Sequence, residues 1–405
     1  MSSPLPYVRA FDGLRAGAVL LVVFSHWPLA HWQVPLGWVG VPLFFVLSGF
    51  LITRLLVADR ARPLGAFLRR FYWRRTLRIF PLYYGYLFVA GGGVLLAAAI
   101  LTHDPPWLTN WARAVRTDGP WLLTYLYNWQ DLIHWLDGQP DSQSVRAFNH
   151  LWSLSVEEQF YLTFPLLVWW LPPARLRTVL LVLVLTGPLL RAGVGEALRG
   201  VPAAPAVWAF FVNRATPFYL DALALGGLLA LGAGARLRQP GRWLLGASVA
   251  VAGWNLAVMA VNHYALGRDW PSWRWLGYEH PLLLYVWSAK APLLARLPGA
   301  LLPTLLNLQA ALLLLWAARG GPTVQRWLEK APLRYVGRIS YGVYVWHMPL
   351  TLLVQHGPAY EWLKTGWLPE TLGLLLFLAV VGGVATVSYY GLERPFLRLK
   401  ERGEK

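Results

Sequence analysis

Long apolar runs alternate with short polar segments along nearly the whole chain. A helix needs about 20 mostly apolar residues to cross the hydrocarbon core. Ten stretches fit that length, at roughly 13–30, 37–57, 80–102, 150–171, 178–193, 213–234, 243–262, 296–318, 338–356 and 368–391. The fifth is short, and residues 281–293 compete with the eighth or form a re-entrant piece. The predicted fold is all-α and polytopic. Residues 1–395 form one transmembrane domain and 396–405 a short basic tail. The first stretch opens with Asp12 and Arg15, has no small-residue cleavage site, and runs almost directly into the second, so it reads as a span rather than a signal peptide.

The loops carry the orientation. With the N-terminus on the cytoplasmic side, the inner segments hold 23 Lys and Arg against 7 in the outer loops, which places both termini inside. This bias accounts for most of the formal net charge of +17. A basic chain points to nucleic acid only when it is hydrophilic. Here 57% of residues are hydrophobic and 14% charged, which excludes a soluble enzyme and a nucleic-acid partner and implies contact with membrane lipid. Tryptophans such as Trp27, Trp32, Trp38, Trp107, Trp111, Trp121 and Trp129 cluster near predicted outer span ends, as an interfacial belt does. The longest loop, 103–149, reads as a cap over an outer cavity. With no Cys there is no disulfide framework or acyl-cysteine intermediate.

Ionisable residues inside spans are costly and are candidates for function. Arg15 and His26 are eleven positions apart, so on one continuous helix they share a stripe, about 16 Å apart along the axis. The same spacing fits a snorkelling Arg and an interfacial His. Asp12 can pair with Arg15 at i,i+3. The run from Asn149 to Tyr161 places Glu157 and Glu158 in an apolar helix, with His150 seven positions before Glu157 and on its face. Arg75 and Arg78, also i,i+3, end a basic run before the third span. Their guanidinium forks match phosphate oxygens, although the run also suits the positive-inside rule. Ser48 and Gly49 permit close helix approach. Asp221 is a lone carboxylate in the sixth span, and the segment from Arg338 to Pro349 carries a hydroxyl face and His347. His26, His150 and His347 stand far apart and no H-x-x-x-H or H-E-x-x-H pair occurs, so no metal site is evident.

Taken together, these residues resemble the membrane acyltransferase-3 family, which includes bacterial O-antigen and polysaccharide O-acetyltransferases. The likeness covers nearly the whole chain: Phe11-Asp12-Gly13-Leu14-Arg15 with His26, Leu43 to Thr53, Arg75-x-x-Arg78, His150 to Tyr161, Ile339-Ser340-Tyr341, Trp346-His347-Met348-Pro349 and Glu393-Arg394-Pro395-Phe396. The resemblance implies ten membrane helices in a bacterial inner membrane. It implies transfer of an acyl group, often acetyl from acetyl-CoA, to a hydroxyl of a sugar or lipid-linked acceptor, without metal. It also implies importance for Arg15, His26, Arg75, Arg78 and Glu157. Tyr219 stands where many members carry an Arg. No soluble esterase-like domain follows the tenth span, which suggests a stand-alone form.

The expected mechanism holds acyl-CoA phosphates on Arg75 and Arg78. His26 acts as general base, Glu157 orients or charges that imidazole, and Arg15 pairs with a carboxylate or the thioester oxygen. Direct transfer and a covalent acyl-enzyme both remain open. The alternative is a secondary transporter or flippase, which also buries Arg, His and Glu, but the chain lacks the paired repeats expected of one.

Overall fold

A computed structural model of the chain describes residues 7–34, 37–100, 106–130, 132–133, 146–197, 214–266 and 293–402. The described residues are mostly helical and contain no strand. Among the described residues, five helical segments are long and apolar enough to cross a membrane: Gly37–Asp59, Leu64–Ile100, Pro173–Ala197, Ala300–Arg319 and Trp367–Leu399. They coincide with the second, third, fifth, eighth and tenth predicted stretches. The rival stretch 281–293 lies almost wholly outside the described residues.

The first stretch is shorter than expected. Helix α1 runs Ala10–Ser25, and the chain then leaves the helix at His26. His26 is the first residue beyond the helix end, in a turn. The inter-span segment 103–149 contains an 18-residue helix, Pro106–Leu123.

The chain divides into two compact units. The first comprises Met1–Ser25, Val34–Ala61 and Phe160–Gly337. Its second helix, α2 (Gly40–Asp59), packs on α8 (Leu220–Ala230) through paired glycines. A Cβ on Gly49 would strike the Leu223 carbonyl oxygen, and one on Gly226 would strike that of Val46. The close approach expected at Ser48–Gly49 is thus present. Ser48 adds a 2.5 Å hydrogen bond to the Tyr161 hydroxyl. A buried ion pair joins α7 (Pro173–Ala197) to α8: Arg191 Nη2 donates to Asp221 Oδ2 at 2.8 Å and to the Phe218 carbonyl at 2.5 Å. Arg191 Nη1 and Asp221 Oδ2 each bond the Thr304 hydroxyl at 2.8 Å, drawing in α10 (Leu293–Arg319), which follows α9 (Pro240–Leu266) and precedes the short α11 (Pro322–Leu328). Asp221 is therefore not a lone carboxylate. Leaving a span arginine and aspartate unpaired is costly, and together they satisfy one another.

The second unit comprises His26–Gln33, Arg62–Gln159 and Arg338–Lys405. Its helices are α3 (Leu64–Tyr86), α4 (Gly93–Ile100), α5 (Pro106–Leu123), the start of α6 (Trp152–Trp170), most of α12 (Ala331–His356), α13 (Trp367–Ser388) and α14 (Arg394–Arg402). A π-helical turn, Leu87–Gly92, joins α3 to α4, and another, Tyr389–Glu393, joins α13 to α14. Such turns interrupt the regular hydrogen-bond ladder and are frequent at functional sites.

Candidate active site

The second unit brings together side chains that lie more than a hundred positions apart. The His347 ring lies 5.1 Å from that of His26 and 5.1 Å from that of His150, centre to centre. Tyr344 packs against both His347 and His150, at 5.6 and 5.5 Å. His150 and His347 are buried, whereas His26 is partly exposed. The cluster sits where the start of α6, the middle of α12 and the segment after α1 meet.

Backbone bonds assign the tautomers. His347 Nδ1 lies 2.6 Å from the Tyr344 carbonyl, so it carries the hydrogen and Nε2 keeps a lone pair. His150 Nε2 lies 3.0 Å from the Val345 carbonyl, so it donates and Nδ1 keeps a lone pair. Neither lone pair has a hydrogen-bond partner among the described residues. The Tyr344 and Ser153 hydroxyls bond each other at 2.6 Å, and both reach the His150 carbonyl, at 2.8 and 3.2 Å. Glu157, one turn beyond Ser153, lies within electrostatic reach of the Tyr344 and Tyr341 hydroxyls.

The segment carrying His26 is clamped. Glu370, on α13, is 2% exposed and faces residues 27–32. It accepts the Trp27 indole N–H at 3.1 Å and the Trp32 backbone N–H at 3.1 Å, and meets His31 Nδ1 at 2.5 Å. Trp27 is fully buried against Phe377, so it is a core anchor rather than a member of the interfacial belt. Trp111 is likewise buried.

The arginine pair is not a bare cationic patch. Arg75 lies within electrostatic reach of Glu158, and Arg78 within reach of Glu393 on the second π-helical turn. Arg75 is half-buried over the Phe71 ring, and Arg78 is exposed. Tyrosines fix α3 beside them. Tyr341 donates to the Ile79 carbonyl at 3.0 Å, and Tyr83 to the Leu122 carbonyl at 2.8 Å. Tyr83 stacks on Tyr125 at 4.3 Å, and burial pushes the Tyr125 phenol well above its ordinary range. Tyr125 sits at φ 55°, a left-handed conformation costly for a side chain of this size. Gln159 holds it there, donating to its carbonyl at 2.8 Å and to the Asn128 side chain at 2.7 Å.

Arg15 belongs to the first unit. It pairs with Asp12 at 2.8 Å, as its spacing predicts. The Tyr7 hydroxyl donates to the other Asp12 oxygen. Burial, followed by that bond, pushes the Tyr7 phenol up to about 12, so it stays a donor at neutral pH.

Of the predicted site residues, His26, Glu157, Arg75 and Arg78 thus share one compact unit. The sequence reading missed the convergence of His150 and His347 on His26, the Glu370 clamp and the Arg191–Asp221 pair. The signal for the last two was present, since each is an ionisable residue in or at the edge of an apolar stretch. Among the described residues, no group of three or more His, Cys, Asp or Glu side chains is arranged to hold a metal ion.

Comparison with known proteins agrees with the motif set. The acyltransferase-3 family profile, described as an acyltransferase domain, matches residues 8–391. A Bacillus subtilis protein provisionally named a peptidoglycan O-acetyltransferase is 27% identical over 96% of this chain and 55% of its own length. Staphylococcus aureus O-acetyltransferase OatA is 24% identical over 98% of this chain and 58% of its own. Listeria monocytogenes peptidoglycan O-acetyltransferase OatA is 26% identical over 96% and 56%. The chain therefore spans little more than half the length of these relatives. No solved structure matches it significantly. The profile covers almost every residue of the helices described above, and the chain belongs to the acyltransferase-3 family as a multi-pass membrane chain built on an acyltransferase domain.

Proposed function

We propose that the chain is a membrane O-acyltransferase that moves an acetyl group from acetyl-CoA to a hydroxyl of a cell-envelope glycan or its lipid-linked precursor. The observation that carries this reading is the gathering of His26, His150, His347 and Tyr344 in the same compact unit as Glu157, Arg75 and Arg78. The names of the relatives point to O-acetylation, and two of them name peptidoglycan. The family match favours acyl transfer over the transporter reading. Ten spans, cytoplasmic termini, one transmembrane domain over 1–395 and residence in the bacterial cell membrane complete the proposal.

In the proposed step, His26 removes the proton from the acceptor hydroxyl as its oxygen attacks the thioester carbonyl. The carbon–sulfur bond then breaks, and the CoA thiolate leaves with the proton that His26 received. The products are the O-acetyl ester and free CoA thiol. Arg75 and Arg78 hold the CoA phosphates. Glu158 and Glu393 lie within electrostatic reach of these arginines. Glu157 acts through Tyr344 on the histidine cluster, and Arg15 takes a carboxylate or the thioester oxygen.

The test is release of CoA thiol and transfer of radiolabelled acetyl to glycan acceptors by purified protein in liposomes. Wild type transfers label. His26→Gln loses about 10²–10⁴-fold, the contribution of a positioned base. Full activity in that variant would remove His26 from the mechanism.

A further inference from the structure

Tyr125 and Glu158 each enclose a polar atom that the protein does not satisfy. The Tyr125 hydroxyl and Glu158 Oε1 are buried and have no hydrogen-bond partner among the described residues. The neighbouring phenols are committed. Tyr83 donates to the Leu122 carbonyl at 2.8 Å, Tyr84 to the Leu123 carbonyl at 3.0 Å and Tyr341 to the Ile79 carbonyl at 3.0 Å. All four hydroxyls, that of Tyr125 included, lie within electrostatic reach of Glu158. Buried polar groups are almost always bonded, so two exceptions side by side call for an explanation.

Tyr125 also keeps a costly backbone. Its φ of 55° is left-handed, which a bulky side chain rarely adopts. The Gln159 amide holds its carbonyl at 2.8 Å, and its ring stacks on Tyr83 at 4.3 Å and Phe80 at 5.7 Å. Such conformations persist where their surroundings over-determine them, and they gather at ligand sites. Here the strain places a hydroxyl that bonds nothing in the protein.

The register of α3 says which part of a ligand passes this point. Tyr83 follows Arg75 by eight residues and Arg78 by five, about 12 and 7.5 Å of helix. Tyr86 packs on His150 at 6.0 Å. Along α3, the Tyr83–Tyr125 stack therefore stands between the arginine pair and the histidine cluster. Arg78 to Tyr86 is about 12 Å of helix. The pantetheine arm of CoA, from diphosphate to thiol, is a chain of about twelve bonds, equal to about four extended residues or about 13–14 Å. It carries two amides, and each offers one N–H and one carbonyl. A carboxyl oxygen accepts and a phenol donates, so the two unmatched groups complement an amide. A carboxylate would repel a phosphate, so the pair suits the uncharged arm rather than the nucleotide.

We propose that Glu158 and Tyr125 form an amide-recognition site for the pantetheine arm of the acyl donor, Glu158 Oε1 accepting an amide N–H and the Tyr125 hydroxyl donating to an amide carbonyl. This rests on the CoA reading above and extends it from the phosphates to the arm.

The test is calorimetric titration of the purified full chain with two ligands: acetyl-CoA, and adenosine 3′-phosphate 5′-diphosphate, the same nucleotide without its arm. Tyr125→Phe removes only the hydroxyl, and Glu158→Leu replaces the acceptor with an apolar side chain. Wild type should bind acetyl-CoA more tightly than the nucleotide. Tyr125→Phe should weaken acetyl-CoA binding about three- to tenfold, and Glu158→Leu at least about tenfold. Both variants should bind the nucleotide no more weakly than wild type does. Without ligand, Tyr125→Phe should melt no lower than wild type, because the hydroxyl it removes had no partner. The inference is overturned, with the donor reading intact, by equal affinity of wild type for the two ligands, by unchanged acetyl-CoA binding in either variant, or by a parallel loss of both ligands. A lower melting temperature for Tyr125→Phe would give its hydroxyl a structural role and overturn the inference too. Binding of neither ligand by folded wild type overturns the donor reading, and this inference with it.

Discussion

The Glu370 carboxylate accepts the indole N–H of Trp27 at 3.1 Å, one residue beyond His26. The same carboxylate takes the Trp32 backbone N–H and meets the His31 ring. One buried charge on α13 thus anchors the short segment that presents the base, which no longer belongs to α1.

This anchor predicts a specific defect. Glu370→Ala strips three partners at once and leaves a buried indole N–H unmatched, costing about 1–3 kcal/mol locally. Amide exchange should accelerate at least about tenfold over residues 26–34, in line with a local opening of that size. Turnover should fall while KM for acetyl-CoA is unchanged. Exchange equal to wild type would show that the segment is held by other contacts.

The Arg191–Asp221 pair predicts a stability defect without a catalytic signature of its own. Removing one partner of a buried pair costs about 3–5 kcal/mol. Arg191→Met and Asp221→Leu should each melt well below wild type in detergent, and the double variant should melt above either single. Two single variants melting with the wild type would contradict the buried network.

The glycine contacts between α2 and α8 predict a contrast. A methyl group at Gly226 meets the Val46 carbonyl oxygen, so Gly226→Ala should destabilise by about 1–3 kcal/mol, as overpacking does. Gly17 on α1 has nothing within 4 Å of the added Cβ. Gly17→Ala should therefore be neutral, or stabilising by up to about 1 kcal/mol through helix propensity. Thermal melting of the two variants side by side distinguishes them, and equal effects would contradict the close approach.

Much of this was legible in the sequence because it is local. The apolar runs marked the candidate spans. The i,i+3 spacing marked Asp12–Arg15, and small residues marked Gly49. The polar block from His150 to Glu157 stood out because carboxylates and imidazoles are costly in an apolar helix. What was not legible depends on distant segments meeting. Nothing in the spacing of His26, His150 and His347 says that three separate elements bring their rings together. The end of the first helix was not legible either, because an apolar run does not mark where a helix stops: Val23 and Trp27 are both apolar, yet the helix stops between them. Trp27 read as interfacial because its partner, Glu370, lies 343 positions away.

The central claim is that a CoA thioester is the donor and that Arg75 and Arg78 hold it. Calorimetric titration of acetyl-CoA into the purified chain tests this most directly, with the Arg75→Ala/Arg78→Ala variant alongside. The account predicts saturable binding by the wild type and its loss in the double variant, with the melting temperature of that variant retained. Equal binding by both proteins, or no binding by a folded wild type, would contradict it.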